Sequence, residues 1–131
     1  MAQPAGLISR ESPHGVEETV RRFRAAAEAA GLTIFAEIDH DLGAAAAGLD
    51  LRPTRLILFG NARSGTPLMQ AAQTTGIDLP LKVLVWEDAA GRTHIGHNDP
   101  LWVAERHGVE ALPEVSAMLQ GLAHLEREAI G

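Results

Sequence analysis

The residues best suited to chemistry lie in a glycine-bracketed segment in the middle of the chain, residues 60–66. The apolar run 56–59 before it predicts a strand buried on both faces. Thr66 and Pro67 after it predict a helix start, with Thr66 as its cap. A turn between a strand and a helix can direct backbone N–H groups at one point. The segment therefore predicts a site for a small anionic or polar ligand.

Several residues near this turn in the sequence or in the expected fold are candidates for the same pocket. The expected ligand-binding residues are Phe35, His40, Gly60, Asn61, Arg63, Gly65, Thr66, Met69 and Trp86. We expect Gly60 and Gly65 to be needed for the shape of the backbone. If Gly65 has a positive φ, its replacement by valine should abolish binding and reduce stability. The N–H groups after Gly65 would then face the ligand.

The same segment has the glycine spacing of a phosphate-binding loop without its lysine. In such loops the lysine reaches the outer phosphates of a nucleotide, and the following Ser or Thr binds magnesium. Arg63 carries a charge, but at another position of the loop. Nucleotide hydrolysis is therefore disfavoured. Two interpretations stay open, a weak site for a small anion and a tight turn that only shapes the backbone.

His40 and Glu37, at the end of a predicted strand, are the candidates for a general base. Such a base needs a cleft and a pKa suited to the reaction. Ser64 lacks the sequence context of a nucleophile elbow, so no hydrolase signature is present. Three functions stay open, in this order: a small-molecule binding or sensing module, a small enzyme that uses His40 or Glu37, and a structural or interaction module without a ligand.

Six histidines and the absence of cysteine limit the metal sites that the chain could build. Without cysteine, disulfides, thiolate chemistry and iron–sulfur clusters are excluded. His94 and His97 are three residues apart on a predicted strand, so their side chains should point to opposite faces. A site of His40, His94 and His97 would need all three to converge. We therefore expect neither a metal nor another cofactor.

Charge and composition restrict the partners of the chain. The formal net charge is −6, which disfavours nucleic acid and anionic membranes as partners. No apolar run is long enough to span a bilayer, and residues 1–15 do not have the pattern of a signal peptide. We therefore expect a cytoplasmic location. The hydrophobic content of 46% and the long apolar face of the last helix predict a homodimer.

The pattern of apolar and turn residues predicts the element order β-α-β-α-β-α-β-β-α-α. Residues 1–14 are expected to be a loose tail with a possible first strand, and residues 15–131 a single domain that ends in a helix over 113–129. Residues 32–38 alternate, which predicts a strand with one well-buried face. Residues 82–88 and 92–97 predict a hairpin whose second strand lies at an edge.

These elements predict an α+β fold, a two-layer sandwich of one mixed or mainly antiparallel sheet with helices packed on it. A doubly wound parallel sheet is the alternative.

Five stretches of the sequence resemble a known family. They are Phe35-x-Glu37-Ile38-Asp39-His40, Leu51-x-Pro53-Thr54, Phe59-Gly60-Asn61-x-x-x-Gly65-Thr66-Pro67-Leu68-Met69, Asp78-Leu79-Pro80-Leu81-Lys82 and Trp86-Glu87-Asp88-x-x-Gly91. Over residues 15–108 the chain resembles the bacterial and archaeal family catalogued as domain of unknown function 302. The resemblance implies a small α+β protein that forms homodimers, and it implies no activity. Ala62 stands where that family commonly has a proline, and His97 where it commonly has an aromatic residue.

Overall fold

One antiparallel sheet organises the part of the chain that the computed structural model describes, residues 3–131. The strand order is β1-β5-β4-β3-β2, and every neighbouring pair is antiparallel. The predicted α+β fold and element order are therefore confirmed, and the parallel alternative is wrong. The elements are β1 Leu7–Ser12, α1 Val16–Ala29, β2 Thr33–Asp39, α2 His40–Ala46, β3 Thr54–Gly60, α3 Ala62–Ala71, a 3-10 helix Gln73–Ile77, β4 Leu81–Glu87, β5 Thr93–Asn98, α4 Pro100–His107 and α5 Pro113–Ile130.

The hydrophobic core lies between one face of the sheet and the helices α1 and α5. The register places Ile57 opposite Val83 and Val85 opposite Ile95, so these side chains share that face. All four are fully buried. From α1, the ring of Phe23 meets the ring of Phe59 edge to face, with a centroid distance of 5.0 Å.

The opposite side of the sheet, here called the open face, is covered by neither α1 nor α5. It is formed by Ala36, Ile38, Leu56, Leu58, Leu84 and Trp86. None of these side chains is fully buried, and Ile38 is 41% exposed. The prediction that residues 56–59 of β3 are buried on both faces is therefore wrong for the single chain. Within the single chain, the apolar residues of the open face have no layer that covers them.

Three strands also differ from their predicted surroundings. β5 is not an edge strand, because β1 pairs with it over six residues and becomes the edge itself. The possible first strand is thus a full member of the sheet, while Met1 and Ala2 lie outside the described residues. β2 is the other edge, and a bulge between Ile34 and Ala36 breaks its alternation. Its predicted well-buried face is wrong, since most of its residues are exposed.

Candidate functional site

The turn that the sequence places at residues 60–66 is shorter in the structure. Helix α3 begins at Ala62, directly after Asn61, and contains the Ser-Gly-Thr-Pro sequence. Asn61 is the N-cap, and its Oδ1 accepts a hydrogen bond of 2.9 Å from the backbone N of Ser64. The predicted capping role of Thr66 and the helix start at Pro67 are therefore wrong. Pro67 is an interior helical residue and provides no N–H for the carbonyl of Arg63.

The two bracketing glycines have different backbone roles. Gly60 has a φ of +146°, which L side chains rarely adopt, so its expected conformational role is confirmed. Gly65 is helical and has no positive φ, so the condition for a strained Gly65→Val variant is not met. Its backbone N–H contacts the carbonyl of Asn61 at 3.3 Å. The expected set of free N–H groups after Gly65 is therefore absent, because these groups lie inside α3.

A cavity of about 570 Å³ opens where α3, the end of the sheet and α5 meet. Most of its lining side chains are aliphatic, aromatic or thioether groups, and it contains no ionisable side chain. The lining residues are Leu32, Phe35, Leu58, Phe59, Gly60, Asn61, Ala62, Ser64, Gly65, Thr66, Met69, Leu79, Pro80, Leu81, Ala117, Met118, Gly121, Leu122 and Leu125. Its size and lining are typical of a small-molecule site.

The bulge in β2 places Phe35 beside this cavity. Ile34 pairs with Phe59 and Ala36 with Leu58, so Phe35 is the extra residue between two regular pairs. Its side chain is 55% exposed although it lines the cavity. A Cβ on Gly60 would lie 4.0 Å from the Phe35 ring. Bulges often reorient a side chain next to a functional site, and here the reoriented ring forms part of the rim.

Six of the nine expected ligand-binding residues line this one cavity. They are Phe35, Gly60, Asn61, Gly65, Thr66 and Met69. Arg63 is exposed on α3 and is not part of the lining. Trp86 pairs with Thr54, at the far end of β3 from Gly60, and stacks on His94 with a centroid distance of 5.2 Å. The ring of Trp86 therefore belongs to the open face.

His40 and Glu37 also lie outside the cavity lining. His40 is the first residue of α2, after the end of β2 that points away from Gly60. Glu37 faces α1 and forms an ion pair with Arg24. Its carboxylate therefore already has a cationic partner in the fold. A general base acting on a ligand in this cavity would therefore have to be another residue.

Sequence reasoning missed the contribution of α5 to the cavity. Ala117 and Gly121 are four residues apart, so they lie on the same side of this helix and leave a notch between its larger side chains. A Cβ on Gly121 would meet no atom within 4 Å. The available signal in the sequence was this pair of small residues four positions apart, beside the larger apolar residues Met118 and Leu122. The contact between α5 and α3 could not be predicted from the spacing of apolar residues, because the two helices are far apart in the sequence.

The polar groups of the cavity come from the first turns of α3. Asn61, Ser64 and Thr66 line it. The hydroxyls of Ser64 and Thr66 form no hydrogen bond with other residues of the described chain, and neither does Nδ2 of Asn61. The capping bond fixes the orientation of the Asn61 amide, so its Nδ2 remains a donor. One end of an apolar cavity thus offers a small polar group of donors and acceptors.

The three histidines considered for a metal site are separated. His94 faces Asp88, with 2.7 Å between Nε2 and Oδ2, while His97 pairs with Glu126 of α5. The prediction that His94 and His97 point to opposite faces of the sheet is confirmed by their register. Across residues 3–131, no group of three or more His, Asp or Glu residues is placed to hold a metal ion.

The hydrogen bond from His94 is the largest cause that lowers the pKa of Asp88 to about 2. Asp88 also accepts hydrogen bonds of 2.9 Å from the backbone N–H groups of Ala90 and Arg92. These bonds favour the charged carboxylate. Asp88 therefore holds the turn between β4 and β5.

A second polar cluster joins the 3-10 helix to the end of α4. His107 lies 2.6 Å from Oδ2 of Asp78 through Nε2 and 2.9 Å from the hydroxyl of Thr74 through Nδ1. Arg106 also pairs with Asp78, at 3.0 Å. The order hydroxyl, imidazole, carboxylate is that of a nucleophilic triad. Here Arg106 neutralises the carboxylate and Thr74 lies outside the cavity. We therefore interpret the cluster as a structural contact that holds the 3-10 helix against α4.

Comparison with known proteins reveals close relatives with a shared name. The chain is 43% identical over 129 residues to "Fluoride-specific ion channel FluC 1" of Brucella suis biovar 1 and of Brucella abortus biovar 1. The aligned region is 97% of this chain and 51% and 48% of those proteins, respectively. The chain therefore spans about half the length of the curated relatives that it matches. No helix in residues 3–131 combines the length and apolar character needed to cross a membrane.

A solved structure shares the fold. It is the crystal structure of an uncharacterized conserved protein, DUF302, from Bacillus stearothermophilus, with a TM-score of 0.86 and 19% sequence identity. The match covers 96% of this chain and 99% of that one. The family described as "Domain of unknown function DUF302" matches residues 8–125, which extends the expected resemblance to β1 and to most of α5. The chain belongs to this DUF302 family.

Proposed function

We propose that this chain is a small-molecule-binding module and that its ligand has a largely apolar body. The observation that carries the proposal is the cavity of about 570 Å³ with no ionisable side chain in its lining. Burial of apolar ligand surface contributes roughly 25 cal/mol per Å² before the costs of binding. A charged ligand would lose its hydration without gaining a partner of opposite charge from the lining. This ligand is more apolar than the small anionic or polar ligand that the sequence predicts.

The small residues on either side of the cavity support the proposal. Gly65 on α3 and Gly121 on α5 both line it. Their missing side chains leave room between two helices that would otherwise close over the end of the sheet. Met69 and Met118 also contribute to the walls, and the unbranched thioether side chain adapts to ligands of different shape.

A cavity-filling variant tests this function, with a matched control on another helix. Gly121→Leu puts a large side chain into open space at the cavity. Gly43→Leu makes the same change in α2, also in open space and outside the cavity lining. The expected result is that an apolar fluorescent probe binds the wild type and Gly43→Leu but not Gly121→Leu. Equal binding to all three proteins would contradict the proposal.

We also propose that the module acts as a homodimer through its open face. Ile38, Leu56 and Leu84 form an apolar row across three strands of this face. Three further leucines are strongly exposed in α2 and in the segment before β3, namely Leu42, Leu49 and Leu51. Contiguous apolar surface of this kind is uncommon on a monomer and commonly marks an interface. A two-fold axis through the face would cover both copies at once.

The channel name of the relatives suggests one setting for such a module. In those proteins, a region similar to this chain makes up about half of the length. A binding module in that position is suited to making a channel respond to a ligand. Fluoride itself does not fit the cavity, because a small, strongly hydrated anion would be desolvated there without a cation in the lining. The proposed ligand is therefore separate from the transported ion.

A further inference from the structure

The polar end of the cavity narrows the class of ligand. We infer that the ligand carries an uncharged hydrogen-bond acceptor, such as a ketone, ester or amide oxygen, on its apolar body, and that Asn61 Nδ2 donates to it. This inference rests on the proposed binding function. It concerns the part of the cavity formed by Asn61, Ser64 and Thr66.

The cap of α3 supplies the argument for a donor. Oδ1 of Asn61 is held by the backbone N–H of Ser64 at 2.9 Å, so the amide cannot rotate without losing the cap. Its NH₂ group has no acceptor among the other residues of the described chain. An amide NH₂ can only donate. A ligand that places an acceptor there satisfies a group that the fold leaves open.

The hydroxyls of Ser64 and Thr66 and the lack of charged side chains determine which other groups on a ligand the cavity favours. Ser64 and Thr66 also line the cavity, and each hydroxyl can donate one hydrogen bond to a ligand oxygen. No Lys, Arg or His lines the cavity to balance an anion, and no Asp or Glu to balance a cation. Both a carboxylate and an amine would therefore be bound more weakly than a neutral acceptor of the same size.

Four probes with the same apolar body test this preference. They are benzylacetone, butylbenzene, phenylbutanoate and phenylbutylamine, which carry a ketone, no polar group, a carboxylate and an amine. Dissociation constants are measured with each probe by NMR titration of the whole chain. The expected result is that benzylacetone binds about three- to tenfold more tightly than butylbenzene, the gain of about one neutral hydrogen bond. The two charged probes are expected to bind more weakly than benzylacetone.

Variants that keep the cap but remove the amide NH₂ group assign the effect to Asn61. Asp and Ser are both good N-cap residues, so Asn61→Asp and Asn61→Ser retain the helix start. Asn61→Asp has no donor and is expected to lose the preference for benzylacetone over butylbenzene. Asn61→Ser keeps only a shorter O–H donor and is expected to weaken this preference without a change in charge. Asn98→Asp, at the end of β5 and outside the cavity, is the matched charge control and should keep it.

The outcomes separate this inference from the function on which it rests. If phenylbutanoate bound most tightly, or if both Asn61 variants kept the preference for benzylacetone, the inference of a neutral hydrogen-bond acceptor would be wrong. The apolar cavity would still be a binding site. Absence of binding by all four probes would overturn both.

Discussion

His97 in β5 and Glu126 in α5 form a buried side-chain pair, in which Nδ1 of His97 is hydrogen-bonded to Oε1 of Glu126. Both residues are almost fully buried, with exposures of 5% and 0%. Oε2 of Glu126 has no hydrogen-bond partner in the described chain. The pair therefore joins α5 to the sheet at a polar point within an apolar layer. Its two residues differ, because only the glutamate has a buried polar atom without a hydrogen-bond partner among the described residues.

This asymmetry predicts the stability of variants at the pair. His97→Phe leaves a buried carboxylate without a partner, and we expect a loss of about 3–5 kcal/mol in the free energy of unfolding. Glu126→Leu removes the carboxylate and should cost less, about 1–3 kcal/mol, for the unpaired imidazole. The double variant should be more stable than His97→Phe alone. Urea unfolding of the four proteins measures these differences, and equal losses in both single variants would argue against the asymmetry.

The start of α3 gives a contrast between two residues that are both good caps by type. Asn61→Ala removes the observed cap and should cost about 0.5–2 kcal/mol. Thr66→Ala lies inside the helix, where alanine is at least as favourable, so its effect should stay within about 0.5 kcal/mol. Chemical denaturation midpoints at constant m value distinguish the two. A larger loss for Thr66→Ala would restore the helix start that the sequence suggested.

That contrast also shows where sequence reasoning reaches its limit. The order of strands and helices followed from the spacing of apolar residues and from the turn residues between them. The start of α3 did not follow, because Asn61 and Thr66 are both acceptable caps and Pro67 favours the later one. Local preference pointed to Thr66, but the helix begins earlier and includes the proline.

Only the part of the candidate site formed by β2, β3 and α3 was predictable from the sequence, because the contribution of α5 depends on long-range packing. Phe35, Gly60 and Met69 come from segments that strand and helix patterns place near one another. Met118 and Gly121 join them from a helix more than forty residues later, through packing that no local pattern encodes. The apolar excess on the open face was visible in the sequence. The same pattern predicts a strand buried on both faces, since the pattern alone does not say which layer covers a strand.

The hydrogen bonds to Asp88 predict a dependence of stability on pH. The pKa of this carboxyl is about 2 in the folded chain and, on ordinary values, about 3.9 when unfolded. Its folded pKa is the lower one, so its contribution is present above about pH 4 and is lost as the pH falls through about 2. Asp88→Asn should therefore show a smaller decline in unfolding midpoint over that window. Parallel declines in the wild type and the variant would contradict the assignment.

The proposed dimer predicts a response to charge on the open face. Leu84→Arg places a charge in the middle of that face and should convert a dimer of twice 13.9 kDa to a monomer. Leu101→Arg on α4, where the leucine is 39% exposed, is the matched control and should leave the dimer intact. Sedimentation at micromolar concentration measures both. A wild-type chain that sediments as a monomer would exclude the proposed interface.

The methionines allow the most direct test of the cavity. The sequence has three, and both of those after Met1, namely Met69 and Met118, line the cavity from opposite helices. Methyl-labelled methionine therefore gives a spectrum in which two of three signals report on this space. The measurement is a titration with butylbenzene or benzylacetone, in the wild type and in Gly121→Leu. The account predicts that both cavity methyl signals shift and saturate in the wild type and stay unchanged in the filled variant. Signals that do not move in the wild type, or that move equally in Gly121→Leu, would contradict it.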